Sequence, residues 1–274
     1  MDLSTTELLL LLALLLLTGG VAGILAGLLG VGGGIVIVPV VFWVFELLDF
    51  PPETAMIVAV ATSLATIIPT SISSARAHHG KGNVDFELLK RWAPLVFVGA
   101  LIGGLSSFYL DGGDLRLVFG VVALIVAINM AIPKTLVLAQ NLPSSKIVQG
   151  AMAGLIGVFS ALMGIGGGTL SVPILSLFSY PTHRAVGTAS AFGLVIAVPA
   201  VAGFILSGWD APLRPPYSLG YVNLVAAAII FPVTTIVAPL GARIAHALPA
   251  ARLKLAFAVF LAITAARMLW TALT

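Results

Sequence analysis

The chain has no cysteine, and only 8% of its 274 residues are charged. Without thiols it can form no disulfide, no thiolate metal site and no cysteine nucleophile. With so little charge it is no ordinary soluble domain, in which about a quarter of residues are charged. No Gly-x-x-x-x-Gly-Lys-Ser/Thr occurs, which excludes a P-loop and a nucleotide-driven pump within this chain. No Asp or Glu stands at the centre of an apolar segment, so a carboxylate proton relay has no support. Gly-x-Ser-x-Gly is missing, and no serine has a histidine placed mid-membrane to activate it; the expectation is that the chain is not an enzyme. Four scattered histidines without carboxylate partners make no metal site, and neither a cofactor nor a nucleic-acid partner is expected.

What remains is hydrophobic. Sixty per cent of the residues are apolar, in runs that fill almost the whole chain. A helix needs about 20 apolar residues to cross the hydrocarbon core. The composition therefore predicts an all-α polytopic membrane protein without a separate soluble domain. The leucine-rich start carries Asp2 and Glu7 where a secretory signal has basic residues, so it reads as the first helix.

One motif occurs twice. Gly30-Val-Gly32-Gly33-Gly34 precedes Pro39, and Gly164-Ile-Gly166-Gly167-Gly168 precedes Pro173. The repeat continues beyond the glycines. Ala59-Val-Ala-Thr62 matches Ala185-Val-Gly-Thr188 at an offset of 126, and Leu115-Arg-Leu-Val-Phe119 matches Leu253-Lys-Leu-Ala-Phe257 at 138. One duplication covering residues 1–133 and 134–274 accounts for these matches.

Turn residues and charges divide the halves into ten apolar segments, near 7–29, 33–48, 53–77, 89–110 and 114–132, then 146–164, 168–179, 183–207, 219–246 and 251–273. The second segment of each half is too short to span. It is expected to fold back on the first as a re-entrant or broken-helix hairpin, giving about eight helices by conventional count. If each glycine motif is a turning point, ten of the thirteen basic residues share one face (among them Arg76, Lys81, Lys134, Arg184, Arg243, Arg252 and Lys254). Eight of the ten acids collect on the other. The positive-inside rule then puts the basic face in the cytoplasm and both termini outside. An odd number of passes per half makes the two repeats inverted, as in many alternating-access carriers.

The doubled Gly-x-Gly-Gly-Gly with its proline, Ala-Thr-Ser at 61–63, and His78 ahead of Gly-Asn-Val-Asp at 82–85 resemble the TauE/SafE family of sulfite exporters. The resemblance spans essentially the whole chain. It implies a permease of the bacterial inner membrane for sulfite, sulfonates or related small sulfur-containing anions. The substrate, the coupling ion and a homodimer are left open.

Inversion brings the two glycine tips together near mid-membrane. A helix beginning after each tip would point free amides and a partial positive charge at a bound oxyanion. The candidate substrate-binding residues are accordingly Gly30, Gly32, Gly33, Gly34, Gly164, Gly166, Gly167 and Gly168, with Thr62, Ser63, Thr169, Thr188 and Ser190 as hydroxyl donors. Ser171 is a further hydroxyl nearby. Against this stands simple helix packing, which glycines also serve. Arg76, His78 and His79 end the third segment and form a candidate cytoplasmic mouth, or else snorkelling anchors. The expected function is secondary transport, in the outward direction that the resemblance implies, with an anion channel as the alternative.

Overall fold

The computed structural model describes residues 4–132, 137–244 and 250–273, with the backbone alone for 250–257 and 273. The repeat boundary at 133/134, Lys134, His246 and the side chains of Arg252 and Lys254 lie outside the described residues.

Among the described residues ten α-helices form, one for each apolar segment: α1 (Thr5–Leu29), α2 (Gly34–Leu47), α3 (Pro52–His79), α4 (Phe86–Leu105), α5 (Gly112–Ala131), α6 (Lys146–Leu162), α7 (Gly168–Ser176), α8 (Thr182–Ser207), α9 (Leu224–Ile244) and α10 (Ala250–Leu273). Six of the apolar spans are long enough to cross a membrane. The two segments expected to be short are short: α2 has 14 residues and α7 has 9. A short hairpin, Ser218–Leu219 against Val222–Asn223, leads into α9 and takes up the start of the ninth apolar segment from residue 219.

Helix starts at the ends of the bundle are capped by local side chains or by proline. Ser4 and Glu7 form a capping box on α1, Asp111 and Asp114 another on α5, and Asp85 and Ser145 cap α4 and α6. Pro51 and Pro181 precede α3 and α8. The two short helices differ. Both α2 and α7 begin in the interior behind a glycine with no side-chain cap. Pro39 and Pro173 lie inside these helices and do not start them.

Helix packing comes in matched sets. α1 runs beside α9 and α6 beside α4, while α3 meets α8 and α5 meets α10 across the repeats. Small residues allow the close approach. A Cβ on Gly23 would lie 2.9 Å from the Thr234 carbonyl oxygen, and one on its repeat mate Gly157 would lie 2.2 Å from that of Val96, the mate of Thr234.

Polar contacts sort the helix ends into two groups. At one end Arg116 pairs with Glu53 at 3.6 Å and donates to the Thr271 carbonyl at 2.9 Å, while Arg267 lies 4.5 Å above the Trp43 ring. At the other, Lys81 donates to the Ala242 carbonyl at 2.9 Å and Trp92 to Gln149 at 3.1 Å. The second is the basic end. Bulky apolar side chains such as Leu17, Ile102, Ile125, Leu155 and Ile236 remain exposed between the ends, as a lipid-facing surface requires.

Candidate functional site

α1 ends when Gly30 turns left-handed at φ 67° and its amide returns to the Ala26 carbonyl. Gly32 and Gly33 continue at φ 70° and 80°, a conformation that resists any Cβ, and α2 begins at Gly34. In the second copy Gly164 is left-handed at φ 66°, and α7 begins at Gly168. All ten residues of the two motifs are buried.

The two motifs are joined directly. The Gly166 amide donates to the Val31 carbonyl and the Gly168 amide to the Gly30 carbonyl, each at 3.0 Å. Residues 30–34 and 164–168 thus run antiparallel past one another. At the ends of the crossing the backbones nearly touch. A Cβ on Gly34 would lie 2.1 Å from the Gly164 oxygen, and one on Gly168 2.4 Å from that of Gly30. Gly32 faces Ile67 near the middle of α3, and Gly167 faces Ala189 and Phe192 of α8. Close packing therefore accounts for the glycines more fully than the sequence reading allowed. The two helix starts sit at opposite ends of the crossing: α2 begins beside Gly164, and α7 beside Gly30.

This crossing decides which amides are left over. In a continuous helix the first amides of α2 would reach carbonyls 30 and 31, but the second motif occupies both. The Gly34 and Ile35 amides consequently have no partner among the described residues. At α7 the Thr169 and Leu170 amides are likewise unpaired, while Ser171 bonds back to Gly167 through both its amide and its hydroxyl. Thr169 adds a buried hydroxyl, 2% exposed, that has no hydrogen-bond partner. Its repeat mate is Ile35, so the two starts are chemically unequal.

The other hydroxyl candidates hold the protein together. Ser63 donates to the Gly164 carbonyl at 2.7 Å. Thr62 Oγ1 accepts the Asn223 amide at 2.9 Å, and its mate Thr188 accepts the Asp85 amide at the same distance. Asp85 and Asn223 are themselves repeat mates, and each caps the helix that follows it. The two threonines therefore anchor the starts of α4 and α9 across the repeats. Ser190 bonds to Val186 and accepts a hydrogen bond from Ser74, next to Gly30.

Sequence reasoning missed most of a polar stripe on α3. Ser63, Thr66, Thr70, Ser74 and His78 are all buried, at spacings of three or four residues. Thr70 shares a 2.6 Å hydrogen bond with Thr234, Ser74 reaches the Ala26 carbonyl, and His78 Nε2 donates to the Gly27 carbonyl at 2.9 Å. That periodicity was visible in the sequence. Of the three mouth residues, His78 is thus buried as a brace on the end of α1 instead of facing solvent. His79 is exposed, edge-on to Phe86, and Arg76 is exposed beside a cleft between α3 and α9.

At the basic end Asp85 also accepts hydrogen bonds from Tyr180 and, at 2.7 Å, from Arg184. Burial opposes ionisation of Asp85. The Tyr180 hydroxyl, the Leu88 and Glu87 amides and the Arg184 charge outweigh it and hold the carboxyl below its ordinary range. Burial, and then the neighbouring carboxylate, push the Tyr180 phenol upward.

Ten helices, a lipid-facing apolar surface and buried, broken helix pairs define a polytopic membrane protein. The family model for the sulfite exporter TauE/SafE matches residues 15–268, and the chain belongs to that family. It is 37% identical to a "Probable membrane transporter protein" of Haemophilus influenzae over 93% of this chain and 97% of that one. A protein of the same description from Methanocaldococcus jannaschii is 28% identical over 82% of each chain. Another, YunE of Bacillus subtilis, is 28% identical over 64% of this chain and 71% of its own. No solved structure matches the chain significantly. The protein is a membrane transporter.

Proposed function

We propose that the protein is a secondary carrier exporting a small sulfur oxyanion, such as sulfite or an organosulfonate, through two inverted repeats. The basic end faces the cytoplasm and both termini lie outside. The carrying observation is the α7 start, where two amides and the Thr169 hydroxyl lie unpaired in the interior. An oxyanion offers only acceptors and matches such a set of donors. A helix N-terminus also adds a partial positive charge without a lysine, which insertion scales cost at about 2.5 kcal/mol or more at mid-membrane. The matched contacts of Thr62 with Asn223 and Thr188 with Asp85 support the repeat relation on which alternating access rests.

The test is flux in proteoliposomes against sulfite, sulfate, thiosulfate, sulfoacetate and taurine. Saturable flux with counterflow of sulfite or a sulfonate is expected. Large unitary currents would instead mark an anion channel, and transport of none of the five would overturn the substrate class.

A further inference from the structure

Away from the glycine crossing, α3 and α9 part near the basic end to leave a cleft of about 720 Å³. Pro69, Ile72 and Pro239 line its inner part, and Arg76, Lys81 and Arg243 its mouth. No carboxylate lines it among the described residues. The Ser73 hydroxyl donates to the Thr235 carbonyl at 2.8 Å and ties the two helices together there. Lys81 is committed to the last turn of α9, whereas Arg76 and Arg243 make no ion pair among the described residues.

The repeat supplies an internal control. The mates of Arg76, Lys81 and Arg243 are Ala202, Ser207 and Leu105, so the fold does not itself require cations at these places. Ala77 and Ala242, which line the cleft, have Gly203 and Gly104 as mates. Those glycines close the equivalent gap: a Cβ on Gly203 would lie 2.6 Å from the Gly104 carbonyl carbon. The gap and its charges therefore occur at the α3–α9 seam and not at the equivalent α8–α4 seam.

We propose that this cleft is a binding site for an anionic phospholipid. Its phosphodiester lies between Arg76 and Arg243, and the upper part of an acyl chain lies along Pro69, Ile72 and Pro239. Basic pockets between helices bind such headgroups. A free inorganic oxyanion would use the cations but leave the apolar wall empty, and the cleft is far larger than such an ion.

Native mass spectrometry of the detergent-purified protein, titrated with phosphatidylglycerol or phosphatidylcholine, tests the site. Phosphatidylglycerol should be retained preferentially. The double variant Arg76→Gln/Arg243→Gln should bind it about 25-fold more weakly, at roughly fivefold per cation removed. Equal retention of both lipids, or unchanged affinity in the variant, would overturn the proposal. So would competition by millimolar phosphate or sulfite, which would assign the cleft to a free anion. Should the variant fail to fold, phosphatidylglycerol with a photoreactive acyl chain can be crosslinked to the wild-type protein. Labelling concentrated in α3 and α9 supports the lipid site, and labelling spread over the other helices refutes it.

Discussion

Thr169 separates a structural role from a binding role more cleanly than any other residue here. Its hydroxyl is buried and unpaired, so removing it deletes no hydrogen bond from the protein. Thr169→Val should leave the melting temperature unchanged or slightly raised. If the hydroxyl donates to a charged substrate, it contributes about 1.5–3 kcal/mol, and the variant should bind the anion tenfold to a hundredfold more weakly. Equilibrium binding and thermal melting of the same sample check both halves of this prediction, and unchanged affinity would remove Thr169 from the site. The glycines invite the opposite comparison. Gly34→Ala sets a methyl 2.1 Å from the Gly164 oxygen and must push the crossed segments apart, whereas Gly20→Ala has nothing within 4 Å. The first should destabilise by several kcal/mol. The second should be neutral or stabilising by up to about 1 kcal/mol. Melting curves in one detergent decide.

At the scale of elements, the doubled threonine contacts follow the doubled sequence most clearly. Thr62→Val or Thr188→Val strips the acceptor from a backbone amide at the start of α9 or α4. Each should cost about 1–3 kcal/mol, measured by thermal or denaturant unfolding in detergent. The two ends differ in charge, because Asp85 stands where its mate is Asn223. The carboxyl of Asp85 is held below its ordinary range, so its contribution is complete above the unfolded-state value and fades as pH falls through the folded one. The protein should therefore lose stability at acid pH, and Asp85→Asn should flatten that dependence while lowering stability near neutrality. The sequence made the segments legible because apolar length and turn residues determine where helices stop. It also marked the turning points, since three consecutive glycines rarely continue a helix. The crossing of the motifs was not legible, because which carbonyl accepts the Gly166 and Gly168 amides depends on tertiary contact. The stripe from Ser63 to His78 was legible in its spacing, but its partners on α1 and α9 were not.

For the whole molecule, the disposition of charge leads to a statement about sidedness. Glu53, Arg116, Thr271 and the Trp43–Arg267 pair gather at one end, while Lys81, Asp85, Arg184 and Gln149 gather at the other. With α2 returning toward the end from which α1 starts, the proposed inversion requires an odd number of passes in each half. On that reading charge chooses the orientation, because among the described residues Arg76, Lys81, Arg184 and Arg243 gather at one end. Arg267 does not upset the count, since its guanidinium covers the Trp43 ring at the far end, where an arginine can reach the interface. A reporter fused after Thr274, and another fused ahead of Met1, should both lie on the non-cytoplasmic side. One fused within the loop after Lys81 should lie in the cytoplasm. Paired alkaline phosphatase and green fluorescent protein fusions, one active only outside and the other only inside, read each position independently. A cytoplasmic C-terminus beside an external N-terminus would mean an even number of passes in one half. The two halves would then not share one topology, whereas a non-cytoplasmic reporter after Lys81 between two external termini would make both counts even and the repeats parallel.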